Sequence, residues 1–320
     1  MRIAIIGPGA LGCLFASLLF PKSKSADDSL WLLDHNQERA NLLTVQGILY
    51  ETDKGQERYQ IPVFSDLQAI NSTDIVLFCV KSQDLEDCLQ SYLPLLSPQT
   101  LLVFLQNGIS HLDIQERLKL PTAPAFASSS EGATLLGPGH VLHVGKGGTF
   151  LGFLSDPTER HQKQLSELAR ILQDAGLDVA LSQDIRSQLW AKLFINAGIN
   201  PLTALYNRTN GQLLTSCASR TRLKNIVQEA ETVARASGIT ISVDPLKATL
   251  AVCMGTARNI SSMLQDRRHQ RPTEIDAING AVIREGKRVG IPTPFNEEVV
   301  LLIKKMEEKY AQDTTMTAII

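Results

Sequence analysis

The chain has 320 residues, 43% of them apolar and 20% charged, with 31 Lys+Arg against 33 Asp+Glu and a formal net charge of −2. Domains run to roughly 100–200 residues, so this length excludes a single small stapled module and favours two domains. The charge balance lacks the basic surplus that a phosphate backbone demands, so nucleic acid is not an expected partner. Five cysteines, Cys13, Cys79, Cys88, Cys217 and Cys253, stand far apart with no Cys-x-x-Cys pair. That usage argues against a disulfide framework and a zinc knuckle, fits a reducing cytoplasm, and gives no reason to expect a metal.

Residues 3–6 form a short apolar run that stops at glycine, and 10–19 reads as an apolar helix, giving strand, turn, helix. The same stretch behind Arg2 has the look of a signal peptide. Gly7, Pro8, Gly9 and Gly12 interrupt it and no small-residue cleavage site precedes Pro21, so neither a targeting segment nor a membrane span is expected. A loop is predicted over 21–29, a second strand over 30–33 ending at Asp34, and a helix over 37–43. Buried-type strands follow at 75–80 and 101–105, separated by a helix at 85–93. Apolar strands alternating with helices predict an α/β Rossmann-type doubly wound sheet covered on both faces. From 132 to 152 the short runs among glycines predict antiparallel strands closing this domain. His140 and His143 lie there, three apart, so a strand points them to opposite faces; they are read as surface-side histidines rather than metal ligands. A helix at 162–175 and a strand at 177–181 follow.

Beyond Asp184 the strand signals stop, and helices are predicted at 186–197, 221–237, 245–256, 273–289 and 295–309, making an all-α C-terminal domain. The expected division is a dinucleotide-binding domain over 1–184 and a helical substrate and catalytic domain over 185–320. Pro201 removes an amide and is predicted to kink or end the first of these helices. Gly290, Pro292 and Pro294 separate the last two.

Gly7-Pro8-Gly9-Ala10-Leu11-Gly12 is a GxGxxG placed after a strand and opening a helix. Gly7 permits the turn, Gly9 lets the backbone approach a pyrophosphate, and Gly12 lets the helix pack closely, so the helix N-terminus faces the phosphates. Asp34, 22 residues after Gly12, stands where a carboxylate would bind a ribose hydroxyl. Lys81 and Asn107-Gly108 follow two other strands, at the ends where open parallel sheets bind ligands. Lys192, Asn196 and Asn200 recur every four residues in an apolar context, which stacks them on one helix face. Such a row is costly unless something polar meets it. Thr273 and Asp276 fit a capping box that would put Glu274 in a first helical turn, so helix-start stabilisation competes with a chemical role for Glu274.

Together with Asn210, the segment Asn259-Ile260-Ser261-Ser262-Met263-Leu264-Gln265-Asp266 and the segment Thr273-Glu274-Ile275-Asp276-Ala277-Ile278-Asn279-Gly280, these residues resemble the ketopantoate reductase (2-dehydropantoate 2-reductase) family, in family order over nearly the whole chain. The resemblance implies a Rossmann domain joined to a helical domain like that of 6-phosphogluconate dehydrogenase, with the active site in the interdomain cleft. It implies NADPH-dependent reduction of 2-dehydropantoate, a small-molecule 2-keto acid, to (R)-pantoate on the way to pantothenate and coenzyme A. It assigns Lys192 as general acid and Glu274 beside cofactor and lysine. Asn107, Asn196, Asn200, Asn210, Asn259 and Ser262 then surround the substrate, while Gly7, Pro8, Gly9, Ala10, Leu11, Gly12, Lys81 and Asn107 meet the cofactor. The second strand departs from the family, many of whose members place Arg at its end, whereas Asp34-His35-Asn36 stands here; this leaves NADH open as a cofactor, with Lys81 and Arg39 able to offset the Asp34 charge. Two alternatives stand beside this reading, a reductase of another 2-keto acid on the same scaffold and a non-catalytic nicotinamide-nucleotide sensor. No oligomeric state follows from the sequence.

Overall fold

The computed structural model describes residues 1–22, 29–70 and 73–317; within the loop expected over 21–29, residues 23–28 lie outside the described residues, as do 318–320 of the expected second domain. Contacts divide the chain into two units, Met1–Gln106 with Leu112–Gln188, and Asn107–His111 with the chain from Leu189 onward.

The first unit opens with β1 (Arg2–Ile6), α1 (Ala10–Leu19), β2 (Ser29–Leu33) and α2 (Gln37–Gln46). The Asn36 side chain caps α2 by accepting from the Arg39 amide at 2.8 Å. After β3 (Ile48–Thr52), β4 (Gly55–Tyr59) and β5 (Val63–Phe64) come β6 (Ile75–Phe78), α3 (Leu85–Tyr92), β7 (Leu101–Phe104), α4 (Ile114–Arg117) and β8 (Ala125–Ser129). The unit ends with β9 (Gly132–Gly137), β10 (His140–Gly145), β11 (Gly148–Phe153), α5 (Glu159–Asp174) and β12 (Asp178–Leu181). Eight strands form the main sheet in the order β12-β11-β8-β7-β6-β1-β2-β5, parallel except where β11 runs antiparallel to β8. The four residues of β6 and of β7 are all buried, as a sheet covered on both faces requires. Strand order reverses between β1 and β6, and ligands bind beyond the carboxyl ends at such a point.

A second sheet, β4-β3-β10-β9, was not foreseen. It takes β9 and β10 out of the main sheet, so only β11 of the antiparallel strands expected over 132–152 continues it. Helix α1 packs on β2 and also on β3, β9 and β10, so Cys13, Leu14, Phe15, Ala16 and Leu19 are all buried. Apolar contact on both sides explains a helix that is hydrophobic all round. The surface reading of His143 is corrected: its side chain is 6% exposed and that of Glu131 1%. His143 Nε2 lies 2.6 Å from Glu131 and Nδ1 3.0 Å from the Tyr50 hydroxyl, while His140 turns to Glu51.

The second unit contains α6 (Ile185–Tyr206, its first turn belonging to the first unit), α7 (Cys217–Ala236), α8 (Pro245–Gly255), α9 (Ser262–Arg268), α10 (Asn279–Val289) and α11 (Pro294–Thr317). Trp190, Phe194, Leu202, Ile226, Val233 and Ile303 are among its core residues. Pro201 neither ends nor interrupts α6. The Ala197 carbonyl, whose helical donor Pro201 lacks, accepts instead from Asn279 Nδ2 at 3.1 Å. The helix expected over 273–289 begins only at Asn279, so Glu274 is not in a first helical turn. The Ala277 carbonyl that a continuous helix would commit to residue 281 accepts from Ile109 N at 3.2 Å, and the Thr273 hydroxyl accepts from Ile275 N rather than capping a helix. Helix α9 was not foreseen; Ser261 caps it, accepting from Leu264 N at 3.1 Å.

Candidate active site

In the first unit the Gly7–Gly12 turn leaves β1 and enters α1. Gly7 has φ +94, and a Cβ there would stand 2.9 Å from Val80; at Gly12 it would stand 2.1 Å from the Gly7 carbonyl oxygen. Only glycine fits either place. At Gly9 a Cβ would meet nothing within 4 Å, so open space lies where a pyrophosphate is expected to approach. Gly9 is also the N-cap of α1 and supplies no side-chain cap, which leaves the first amides of the helix for a ligand. Pro8 and Gly12 are buried, whereas Ala10 and Leu11 are half-buried.

A cavity of about 500 Å3 adjoins this turn, and Gly7, Asp34, Ser65, Asp84, Cys88 and Tyr92 are among the residues lining it. The structure thus brings Gly7 and Asp34 to one pocket. The Asp34 side chain is itself wholly buried; its oxygens accept from Arg39 Nη2 at 2.6 Å and from Arg39 Nε, and from Asn36 N at 3.0 Å. Arg39 follows Asp34 by five residues, one turn into α2, a spacing legible only after the strand–helix junction is known. Lys81 is half-buried just past β6 and precedes a 3-10 turn over Ser82–Asp84; it does not line this cavity.

In the second unit Lys192, Asn196 and Asn200 share one face of α6, as their spacing predicts. Lys192 and Asn196 are half-buried and Asn200 is buried. Burial lowers the Lys192 ammonium to about 8, against a smaller upward pull from the Glu274 carboxylate. Glu274 accepts a hydrogen bond from Asn107 Nδ2 at 2.8 Å. Behind that contact, Gly108 has φ +80, and a Cβ there would fall 1.9 Å from the Ala277 carbonyl oxygen. Lys192, Glu274 and Asn107 are therefore brought together.

Asn210, also buried, donates from Nδ2 to Thr256 Oγ1 at 2.8 Å and from its backbone to the Asn259 carbonyl at 3.0 Å. Its Oδ1 is buried without a hydrogen-bond partner. Asn259 and Ser262 are exposed, the latter at the start of α9. Sequence reasoning missed what seats α9 on α6: the Thr203 and Ser261 hydroxyls lie 2.6 Å apart, and Arg267 Nη1 donates to the Leu205 carbonyl at 3.1 Å and to that of Ala204. The one visible signal was a Thr, three residues past Asn200, on an otherwise apolar helix end.

Comparison with known proteins matches residues 3–156 to the family model "Ketopantoate reductase PanE/ApbA" and residues 184–307 to "Ketopantoate reductase PanE/ApbA C terminal". A 2-dehydropantoate 2-reductase of Vibrio cholerae is 32% identical over 313 residues, 98% of this chain and 100% of that protein. Among solved structures, a PanE/ApbA family ketopantoate reductase from Ralstonia eutropha aligns with a TM-score of 0.86 at 30% identity, over 97% of this chain and 100% of that one. A D-mandelate dehydrogenase with NADH and anilino(oxo)acetate aligns at 0.85 and 26% identity, over 97% and 100%.

Proposed function

Since the chain belongs to the ketopantoate reductase family, we propose that it reduces 2-dehydropantoate to (R)-pantoate with a nicotinamide dinucleotide, residues 1–184 holding the cofactor and 185–320 carrying the chemistry. The observation that carries this reading is the arrangement of the second unit, where Lys192, Asn196 and Asn200 share one face of α6 and Asn107 holds the Glu274 carboxylate at 2.8 Å; the pull of Glu274 on the half-buried Lys192 accords with it. When bound, the nicotinamide supplies the hydride. As alkoxide charge grows on the keto oxygen, the Lys192 ammonium stabilises it and gives up a proton. Glu274, held by Asn107, keeps that ammonium charged until the transfer. Asn196 and Asn200 offer neutral donors that orient the keto oxygen, and Asn210, Asn259 and Ser262 are assigned to the rest of the substrate.

The open space at Gly9 and the uncapped start of α1 fit a dinucleotide pyrophosphate, and Asp34 lines the adjoining cavity. The Asp34 carboxylate suits the 2′-hydroxyl of NADH, while the Arg39 guanidinium paired with it offers a cation to the 2′-phosphate of NADPH. We therefore assign NADPH as a usable cofactor with weak discrimination against NADH. Among the described residues no helix is long and apolar enough to cross a membrane. The five cysteines are free of one another, which accords with the proposed reducing cytoplasm.

The test is nicotinamide oxidation, followed by absorbance, on adding 2-dehydropantoate to the purified protein. Steady turnover is expected. The likeness to D-mandelate dehydrogenase favours one second reading, a reductase of another branched 2-keto acid; turnover with the keto acid corresponding to mandelate and none with 2-dehydropantoate would replace the first reading with it. Cofactor binding without turnover on either acid would leave a nucleotide sensor.

A further inference from the structure

We propose that Asn279 is a positioning residue for this active site: its side-chain amide replaces the backbone donor that Pro201 removes from α6, and so ties the helix bearing Lys192, Asn196 and Asn200 to the turn bearing Glu274. In an uninterrupted α-helix the carbonyl of residue 197 accepts from the amide of residue 201. Pro201 has no amide hydrogen, and its ring crowds that carbonyl. Ala197 is 0% exposed, and a buried carbonyl needs a donor from the protein. Asn279 Nδ2, at 3.1 Å, is that donor.

The direction of the bond is fixed by what lies beyond it. The second hydrogen of Asn279 Nδ2 goes to Asn296 Oδ1 at 3.0 Å. Asn296 must present its oxygen there because its own Nδ2 is committed to the Ile226 carbonyl at 3.2 Å and to Glu229 Oε2 at 2.8 Å. Asn279 and Asn296 are both 0% exposed. One buried chain of hydrogen bonds thus runs from α6 through α10 and α11 to α7; Asn279 Oδ1 makes no hydrogen bond, so the arrangement is held by the two donors of each side-chain amide.

This chain of bonds is placed where the chemistry needs it. Ala197 falls between Asn196 and Asn200, so an unfilled break there lets the part of the helix carrying Lys192 move against the part carrying Asn200. Asn279 ends the segment that starts at Glu274, and its bond sets the distance across which that carboxylate acts on Lys192. Asn279 is wholly buried and is proposed to act through Lys192, so the inference rests on the proposed role of Lys192.

The experiment compares Asn279→Ala in two backgrounds, the natural chain and Pro201→Ala, in which residue 201 regains an amide that can bond to Ala197 without help. In the natural background kcat should fall about 10–100-fold, the scale of loss for a displaced catalytic group, while the cofactor KM changes less than about twofold. In the Pro201→Ala background the same substitution should cost no more than about threefold. Equal losses in both backgrounds, or an unchanged kcat in the first, overturn the proposal. Should Asn279→Ala alone fail to fold, the double variant is compared with Pro201→Ala: values within about threefold support the proposal, and a loss beyond tenfold defeats it. Lys192→Ala, measured in parallel, separates the two levels. A normal kcat there discards the proton donor, whereas a large loss there without any dependence on Pro201 at position 279 discards only the positioning role.

Discussion

Lys192 stands under two opposed influences, burial that disfavours its charge and the Glu274 carboxylate that favours it, and burial wins to leave it near 8. In the proposed role the acid form is the reactive one, so kcat is expected to be level below that value and to fall as pH rises through it. Replacing Glu274 by Gln removes the favourable charge, which lowers the lysine further and moves the alkaline limb to lower pH; a limb that stays in place would detach Glu274 from the lysine. Lys192→Ala should cut kcat roughly 10²–10⁴-fold. In the first unit Asp34 and Arg39 form the other decisive pair. Their mutual hydrogen bonds spend the carboxylate charge that would repel a 2′-phosphate, so NADH and NADPH should differ by no more than about tenfold in kcat/KM, or about 1.4 kcal/mol. Asp34→Ser releases the guanidinium and should shift preference toward NADPH. A several-hundredfold NADPH preference in the natural chain, unmoved by the substitution, would show that Asp34 plays no part at the ribose.

At the scale of elements, the contact between the Asn107–His111 segment and the turn before α10 shows how a backbone approach can place a side chain. Gly108, with φ +80 and a carbonyl oxygen 1.9 Å from where a Cβ would be, admits no other residue. Gly108→Ala should push the Ala277 carbonyl away, break the Ile109 bond to it, and slacken the Asn107–Glu274 contact. The expected result is a loss of stability of about 1–3 kcal/mol in denaturant unfolding, together with a lower kcat; a variant as stable and active as the natural chain would remove this contact from the site. The resemblance placed Asn107 and Glu274 in one site, but their direct bond was not legible, because they are 167 residues apart and only the fold joins them. The row Lys192, Asn196, Asn200 was legible, because helical period alone aligns it. Pro201 does not end α6 as one arm of the expectation had it, because a local rule about a missing amide takes no account of a donor arriving from residue 279.

For the whole molecule, the parallel sheet and the helical C-terminal half were readable because their strands are continuous apolar runs and their helices long. The second sheet was not, since the residues of β3 after Ile48 are half-buried and β4 is exposed along most of its length, so neither carries the apolar signature of a buried strand. The short runs over 132–152 and the apolar excess of α1 were the visible traces of that sheet, and neither shows which strands join it. The two units can be addressed separately because the chain has only two tryptophans, Trp31 in β2 and Trp190 in α6. With Trp190→Phe, fluorescence reports Trp31 alone, two residues before the strand end that lines the cavity at Asp34. ADP carries the ribose and pyrophosphate that this cavity and the Gly7–Gly12 turn are expected to hold, and no nicotinamide. At about 100 times its Kd it should stabilise the native state by about 2.7 kcal/mol and raise the midpoint seen by Trp31 by roughly 5–10 °C. Asp34→Ala should weaken that shift by removing a ribose partner and freeing Arg39 from its place. If millimolar ADP leaves the Trp31 midpoint unmoved while NADH raises it, the dinucleotide is held chiefly through its nicotinamide half, and the cavity beside Asp34 is not the adenosine site.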